Sequence, residues 1–188
     1  MKSNHFAFLL LLFTCLGSEA QTTINGITLA ARLKRDNTEL VLNGGGIRKK
    51  MFLKLYTAGL YLAAKSNNAG EIKDADKTIA IQLTITSGMI NSNNMSEAIQ
   101  EGFGKSLKGN TAPLQSKIDQ FITTFKKEAI KEGDVFELWY VSGEGVKSFK
   151  NGKLQSTIPG LDFKKALFGI WLSDTPVDED LKKGLLGG

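Results

Sequence analysis

Glu39-Leu40-Val41-Leu42 reads as a strand that runs into Asn43-Gly44-Gly45-Gly46, and Ile47 to Leu62 reads as a strand again. A glycine run after a strand invites comparison with a phosphate-binding loop. The Gly-Lys-Ser/Thr of the P-loop and the spacing of the dinucleotide fingerprint are both missing. The run is therefore expected to make a hairpin turn or a bulge. In the segment that follows, Leu53, Leu55, Thr57, Gly59 and Tyr61 share one face, with Phe52, Lys54, Tyr56, Ala58, Leu60 and Leu62 on the other. Both faces are largely apolar, which predicts a central strand covered on both sides.

Working outward, Ile79, Ile81, Leu83 and Ile85 alternate with polar or small residues over Thr78 to Thr86, the pattern of another strand. Asn94-x-x-Glu97 resembles a capping box. Met95, Ile99, Phe103 and Leu107 then recur every four residues, so a helix with one apolar stripe is expected. Gly102 and Gly104 weaken that helix by about 1 kcal/mol each relative to Ala, and they suit close packing. Thr111 and Pro113 open a second helix, expected to turn Leu114, Ile118, Phe121, Ile122 and Phe125 inward and to end near Gly133. Val135 to Val141, Val146 to Lys150 and Lys153 to Ile158 form an antiparallel meander, with turns at Ser142-Gly143-Glu144-Gly145 and Asn151-Gly152. Leu161 to Leu172 is helical. Thr175 is expected to cap a last helix, with Pro176 first and Asp178 and Glu179 in its first turn, packed down by Val177, Leu181 and Leu185. Strands and helices segregate instead of alternating. That order argues for an α+β domain whose antiparallel sheet carries a layer of helices on one face.

The 188 residues suffice for one domain with a real core. Residues 1–20 read as a signal peptide. Lys2 supplies the positive start, Phe6 to Phe13 the apolar run, and Ser18-Glu19-Ala20 the small-x-small cleavage pattern. Residues 21–188 are then a single domain, periplasmic or secreted, with no integral membrane segment left after processing. Lipidation at Cys15 is the competing reading, and Thr14 before it argues against that. The chain has one cysteine and one histidine, Cys15 and His5, and both leave with the signal. The mature domain thus has no disulfide, no thiolate chemistry, no Ser-His-Asp triad and no histidine metal ligand. No metal and no cofactor are expected. Asp174, Asp178, Glu179 and Asp180 lack the spacing of a Ca²⁺ loop and suit helix capping. The net charge of +5 is scattered, with clusters only at Arg48-Lys49-Lys50 and Lys126-Lys127. No basic stripe with interleaved aromatics suggests nucleic acid.

Two segments carry a resemblance. Leu42-Asn43-Gly44-Gly45-Gly46-Ile47-Arg48, followed by Lys54-Leu55-Tyr56-Thr57-Ala58-Gly59-Leu60-Tyr61-Leu62, resembles the N-terminal region of the chalcone isomerase family. Trp171-Leu172-Ser173-Asp174-Thr175-Pro176-Val177-Asp178, with Leu181-Lys182, is similar to the C-terminal signature of its bacterial, secreted members. The resemblance implies an open-faced β-sandwich, a large antiparallel sheet with helices on one side and a ligand cleft between them. It also implies either cyclisation of chalcones by intramolecular addition or, as in other members, fatty-acid binding without catalysis. Arg48 matches the family Arg that holds an anion. Tyr56 falls where the enzymes have Thr. The catalytic Tyr falls near Met95, the helix Asn near Gly102, and the late Thr or Ser near Ile170. Losing one preorganised polar group costs about 2.7–4 kcal/mol of transition-state stabilisation, so losing several argues against a cyclase.

The expected ligand site is therefore Arg48, Tyr56, Met95, Ile99 and Phe103. Arg48 is its anion anchor and the one group left for catalysis if the protein is an enzyme. As a helical apolar stripe, Met95, Ile99 and Phe103 are more often plain core than pocket wall. Tyr61 is expected to be a core aromatic with a satisfied hydroxyl, and Trp171 to anchor the last helix in preference to closing the ligand cavity. The leading reading is a binder of a small amphipathic or aromatic anion, such as a fatty acid. The alternatives are an isomerase of chalcone isomerase type and an envelope interaction protein.

Overall fold

A computed structural model describes residues 21–188; the expected signal peptide, with His5 and Cys15, lies outside the described residues. Strands β1 (Thr22–Ile24) and β2 (Ile27–Leu29) form a hairpin. A seven-stranded antiparallel sheet then follows in strict chain order: β3 (Arg32–Arg35), β4 (Thr38–Lys50), β5 (Leu53–Leu62), β6 (Ile79–Ile85), β7 (Val135–Val141), β8 (Gly145–Lys150) and β9 (Lys153–Ile158). Helices α1 (Ala69–Asp74), α2 (Ser92–Ser106), α3 (Gln115–Thr124), α4 (Leu161–Leu172) and α5 (Glu179–Leu185) interrupt and follow it, and a 3-10 turn at Ala112–Leu114 leads into α3.

Residues 39–62 make two strands with the turn in a different place from the one expected. The glycines stay inside β4, whose pairing with β5 slips at Leu42/Gly44 and at Arg48/Lys49. A bulge is therefore present, and the hairpin turn falls at Met51-Phe52, with Lys50 opposite Leu53. Contact on both faces explains the glycines. A Cβ on Gly44 would lie 2.2 Å from the Gly184 carbonyl oxygen of α5, and one on Gly45 would lie 2.4 Å from Leu29 Cδ1 of β2. Only a strand without side chains lets helix and hairpin approach it so closely from opposite sides.

The helix face of the sheet builds the main core. Tyr56, Ala58, Leu60 and Leu62 of β5 join Ile79, Ile81, Leu83 and Ile85 of β6 and Phe136, Leu138 and Tyr140 of β7. Above them Phe103, Phe121 and Phe163 pack ring on ring, with centroids 5.6 to 6.0 Å apart. The opposite face holds a smaller core of Leu40, Leu42, Tyr61, Ala80, Trp139 and Phe149 under Leu29 of the hairpin. The central strand is thus covered on both sides, by helices on one and the hairpin on the other. Tyr61 departs from expectation, because its buried hydroxyl has no hydrogen-bond partner among the described residues.

Local details correct the reading of the helices. Asn91 caps α2 and exchanges side-chain and backbone bonds with Asn94, so the capping box begins at Asn91 and not at Asn94. Gly102 does permit close packing, since a Cβ there would lie 2.9 Å from Ile170 Cγ2 of α4, whereas Gly104 has open space around it. α3 ends at Thr124, well short of Gly133. Asp178, not Thr175, caps α5, with its carboxylate accepting from Leu181 N at 3.0 Å.

One buried cation was not anticipated. Lys164 of α4 is fully buried, and its Nζ donates to the carbonyls of Ile72, Lys73 and Ala75 at 2.7 to 2.8 Å. It thereby satisfies the C-terminal end of α1, whose last carbonyls lack partners within the helix. Burial is the main influence on its ammonium and pulls the pKa down to about 8, while Asp74 resists that pull.

Candidate ligand cavity

A cavity of about 230 Å³ lies between the sheet and the helices. Its size falls below that of drug-sized ligand pockets, which run from about 300 to 1,000 Å³. Leu83 and Leu138 come from the sheet, Met95 and Ile99 from α2, Phe121 from α3 and Phe125 from its C-cap, and Leu167, Ile170 and Trp171 from α4. The polar lining is sparse and lies on the β4, β5 and α2 side, with Arg48, Lys50, Tyr56, Asn94 and Glu101.

Four of the five expected site residues, Arg48, Tyr56, Met95 and Ile99, border this cavity. Phe103 does not. It is fully buried in the aromatic cluster, because its place on α2 points it at Phe121 and Phe163. Met95 and Ile99 are themselves buried and serve as core and cavity wall at once.

The bulge at Arg48/Lys49 sets Arg48 at one end of the cavity, with its side chain only 15% exposed. Its Nη1 lies 3.4 Å from Asp178 Oδ2 and also donates to the Lys49 carbonyl. Asp178 in turn accepts from Lys49 N at 3.0 Å. Burial pushes the Asp178 carboxyl up, but the Lys49 and Leu181 N–H groups and the Arg48 charge together hold it below the usual carboxylate range. Arg48 therefore has a resident counter-ion, which its place in the sequence did not reveal. The residue was legible as a cap; its reach across the chain to β4 was not.

Tyr56 is the second polar group. Trp171 Nε1 donates to its oxygen at 3.0 Å. Burial pushes the phenol up to about 12, against smaller opposite effects from Trp171 and Arg48. Tyr56 thus stays a neutral donor throughout the physiological range. Trp171, the less favoured of whose two expected roles was to close the cavity, forms cavity wall and fixes the Tyr56 hydroxyl. Near the same space, the positions aligned with polar catalytic groups hold Met95 and Ile170 as apolar lining, and Gly102 packs against Ile170. Among the described residues, no group of three His, Cys, Asp or Glu could hold a metal ion, and no helix is long and apolar enough to cross a membrane.

Fold and cavity together define an α+β protein of open-faced antiparallel architecture with an apolar pocket and a cationic end. The chain belongs to the chalcone isomerase-like family, whose model matches residues 21–187. A search of curated proteins finds no significant match. Among solved structures, the chain is similar to the crystal structure of a fatty-acid binding protein of Arabidopsis thaliana. The TM-score is 0.71 at 20% identity, over 86% of this chain and 92% of that one, a likeness of fold.

Proposed function

We propose that this protein binds a fatty acid or a similar lipophilic carboxylate without transforming it. The tail lies in the apolar cavity and the carboxylate meets Tyr56 and Arg48. The observation that carries this reading is the buried Tyr56 hydroxyl, oriented by Trp171, on the wall of an apolar cavity that Arg48 also lines. An anionic oxygen in the cavity would accept from that hydroxyl in a strong charge-assisted bond. Arg48 has five N–H donors, and Asp178 and the Lys49 carbonyl both engage Nη1, which leaves donors for a ligand. Similarity in fold to a fatty-acid binding protein supports the same reading. The signal-like pattern of residues 1–20 supports a periplasmic or secreted setting for this binding. A cyclase needs polar groups where Met95, Gly102 and Ile170 stand, so the isomerase reading has less support.

Titration calorimetry with linear fatty acids of increasing length is expected to show saturable binding. Each added methylene should tighten it about fourfold, from about 0.8 kcal/mol per buried CH₂, until the tail outgrows the cavity. Tyr56→Phe and Arg48→Gln should each weaken binding by roughly 10- to 100-fold, from about 1.5–3 kcal/mol per lost charged hydrogen bond. Fatty acids that fail to bind, or binding that both variants leave unchanged, would defeat the proposal. A chalcone incubated with the protein should cyclise only at its spontaneous rate; an Arg48-dependent rate would favour the isomerase.

A further inference from the structure

The tip of the β4–β5 hairpin is unlike the other hairpin tips of the chain. Among the described residues, Asn25, Asp36 and Asn151 occupy left-handed backbone at the β1–β2, β3–β4 and β8–β9 turns, with φ of 52°, 51° and 49°. Asn and Asp tolerate that conformation better than other side chains that carry a Cβ. The β4–β5 turn places Met51 there instead, with φ of 56°, followed by Phe52. Both project into solvent, 87% and 84% exposed. An unbranched apolar residue thus occupies a backbone position that suits Asn or Gly, and it buries almost nothing by doing so. Folding gains little from this choice.

The surroundings indicate what the tip meets. Lys49, Lys50 and Lys54 flank it on the two strands. Lys50 and Leu53, the residues on either side of Met51-Phe52, line the ligand cavity, as does Met89 from the loop before α2, itself 61% exposed. The exposed apolar side chains therefore stand at the cavity mouth inside a basic collar. Glu101, the acidic residue of that lining, is paired with Lys105 at 3.0 Å, and Asp178 is paired with Arg48.

We infer that the Met51-Phe52 tip, with Met89 beside it and Lys49, Lys50 and Lys54 around it, docks on an anionic lipid surface and seats the cavity mouth there. A few apolar side chains on a narrow hairpin can enter the headgroup region while lysines meet anionic lipids. They are too few for a protein interface, which buries about 1,200 Å² or more. Docking itself is independent of the proposed ligand. Its use, passage of a lipophilic anion between membrane and cavity, rests on that reading.

The test is flotation of a chain beginning at Gln21, which contains every element of the fold, with phosphatidylcholine vesicles with and without phosphatidylglycerol. The wild type should float with the anionic vesicles and release at high salt. Met51→Asn/Phe52→Ser, in which Asn suits the turn, should bind vesicles at least tenfold more weakly, with melting temperature and fatty-acid affinity unchanged. Lys49→Gln/Lys54→Gln should lose the preference for anionic vesicles. A wild type that stays off the anionic vesicles, or a tip variant that floats as well as the wild type, would overturn the inference. So would tip-dependent self-association on size exclusion without flotation, which would assign the tip to a second copy. Flotation without fatty-acid binding would leave docking intact and remove the ligand reading.

Discussion

Gly44→Ala is expected to lower stability by about 3–5 kcal/mol, far more than a methyl group does at an exposed strand position. The added Cβ would meet the Gly184 carbonyl oxygen at 2.2 Å, Gly187 N at 2.8 Å and the Leu185 carbonyl oxygen at 2.9 Å, all of them backbone atoms that no rotamer change can move. The helix must lift from the strand. Lifting α5 exposes Leu181 and Leu185, 1% and 0% exposed in the native state. Each is worth about 1.5–3 kcal/mol when fully buried. It also breaks the bond from Asn43 Nδ2 to the Leu185 carbonyl and loosens Asp178 from Lys49 and Arg48. Urea denaturation should show a midpoint shift of that size, or a fall of about 6–20 °C in Tm at about 2–4 °C per kcal/mol for a chain of this length. Gly104→Ala is the control. It lies within α2 with nothing within 4 Å of the added carbon and should gain about 0.5–1 kcal/mol. Equal Tm for Gly44→Ala and the wild type would show that α5 is not clamped as described.

Lys164→Met should cost about 3 kcal/mol or more, even though methionine fits the same volume. It leaves the carbonyls of Ile72, Lys73 and Ala75 buried without their shared donor, and each unsatisfied group costs about 1–3 kcal/mol unless α1 opens to water. Hydrogen exchange should show that opening as faster exchange confined to α1 and the residues after it. The pH dependence carries a separate signature. Burial lowers the folded-state pKa of Lys164 to about 8, whereas an unfolded lysine titrates near its usual value of 10.5. Between those values the unfolded chain holds the proton more firmly, so this residue makes stability rise with pH across that window. The penalty of burying the charge is present in full below pH 8 and has gone above about 10.5; a shift of about 2.5 units corresponds to about 3 kcal/mol. Lys164→Met removes that rise. If wild type and variant trace parallel stability curves from pH 7 to 10, the ammonium is not held as the coordinates place it.

Much of this architecture was legible because its signals are local. The alternation of Ile79, Ile81, Leu83 and Ile85, the Asn151-Gly152 turn and the four-residue recurrence of Met95 and Ile99 each depend on neighbours a few residues away. The glycines at 44 to 46 misled in part because their cause is remote. What they accommodate is Gly184 on a helix at the far end of the chain, and no local pattern encodes that meeting. The hairpin turn was missed for the complementary reason, since Met51-Phe52 carries none of the usual turn chemistry. Within the cavity, Arg48 and Tyr56 came from a resemblance, and their exposure and bonding came only from the coordinates. Asp178 is the clearest limit. Its role as a helix cap is short-range, while its pairing with Arg48 spans 130 residues. Phe103 shows the opposite error, because a stripe that repeats every four residues does not say which member meets a void and which meets another ring.

The connectivity of the sheet has a consequence for how the chain is made. Each strand lies beside the one that precedes it, so the sheet can grow in step with delivery of the polypeptide. α5 breaks that rule: it follows every described strand and closes onto β4, one of the first strands of the sheet, with Asn43 and Leu185 joined across 142 residues. A product stopped just before Asp178 would hold every strand, yet its earliest ladder would stand unroofed and its guanidinium without a counter-charge. Roofing of the first-formed ladder and neutralisation of the guanidinium thus arrive together, when α5 settles on β4.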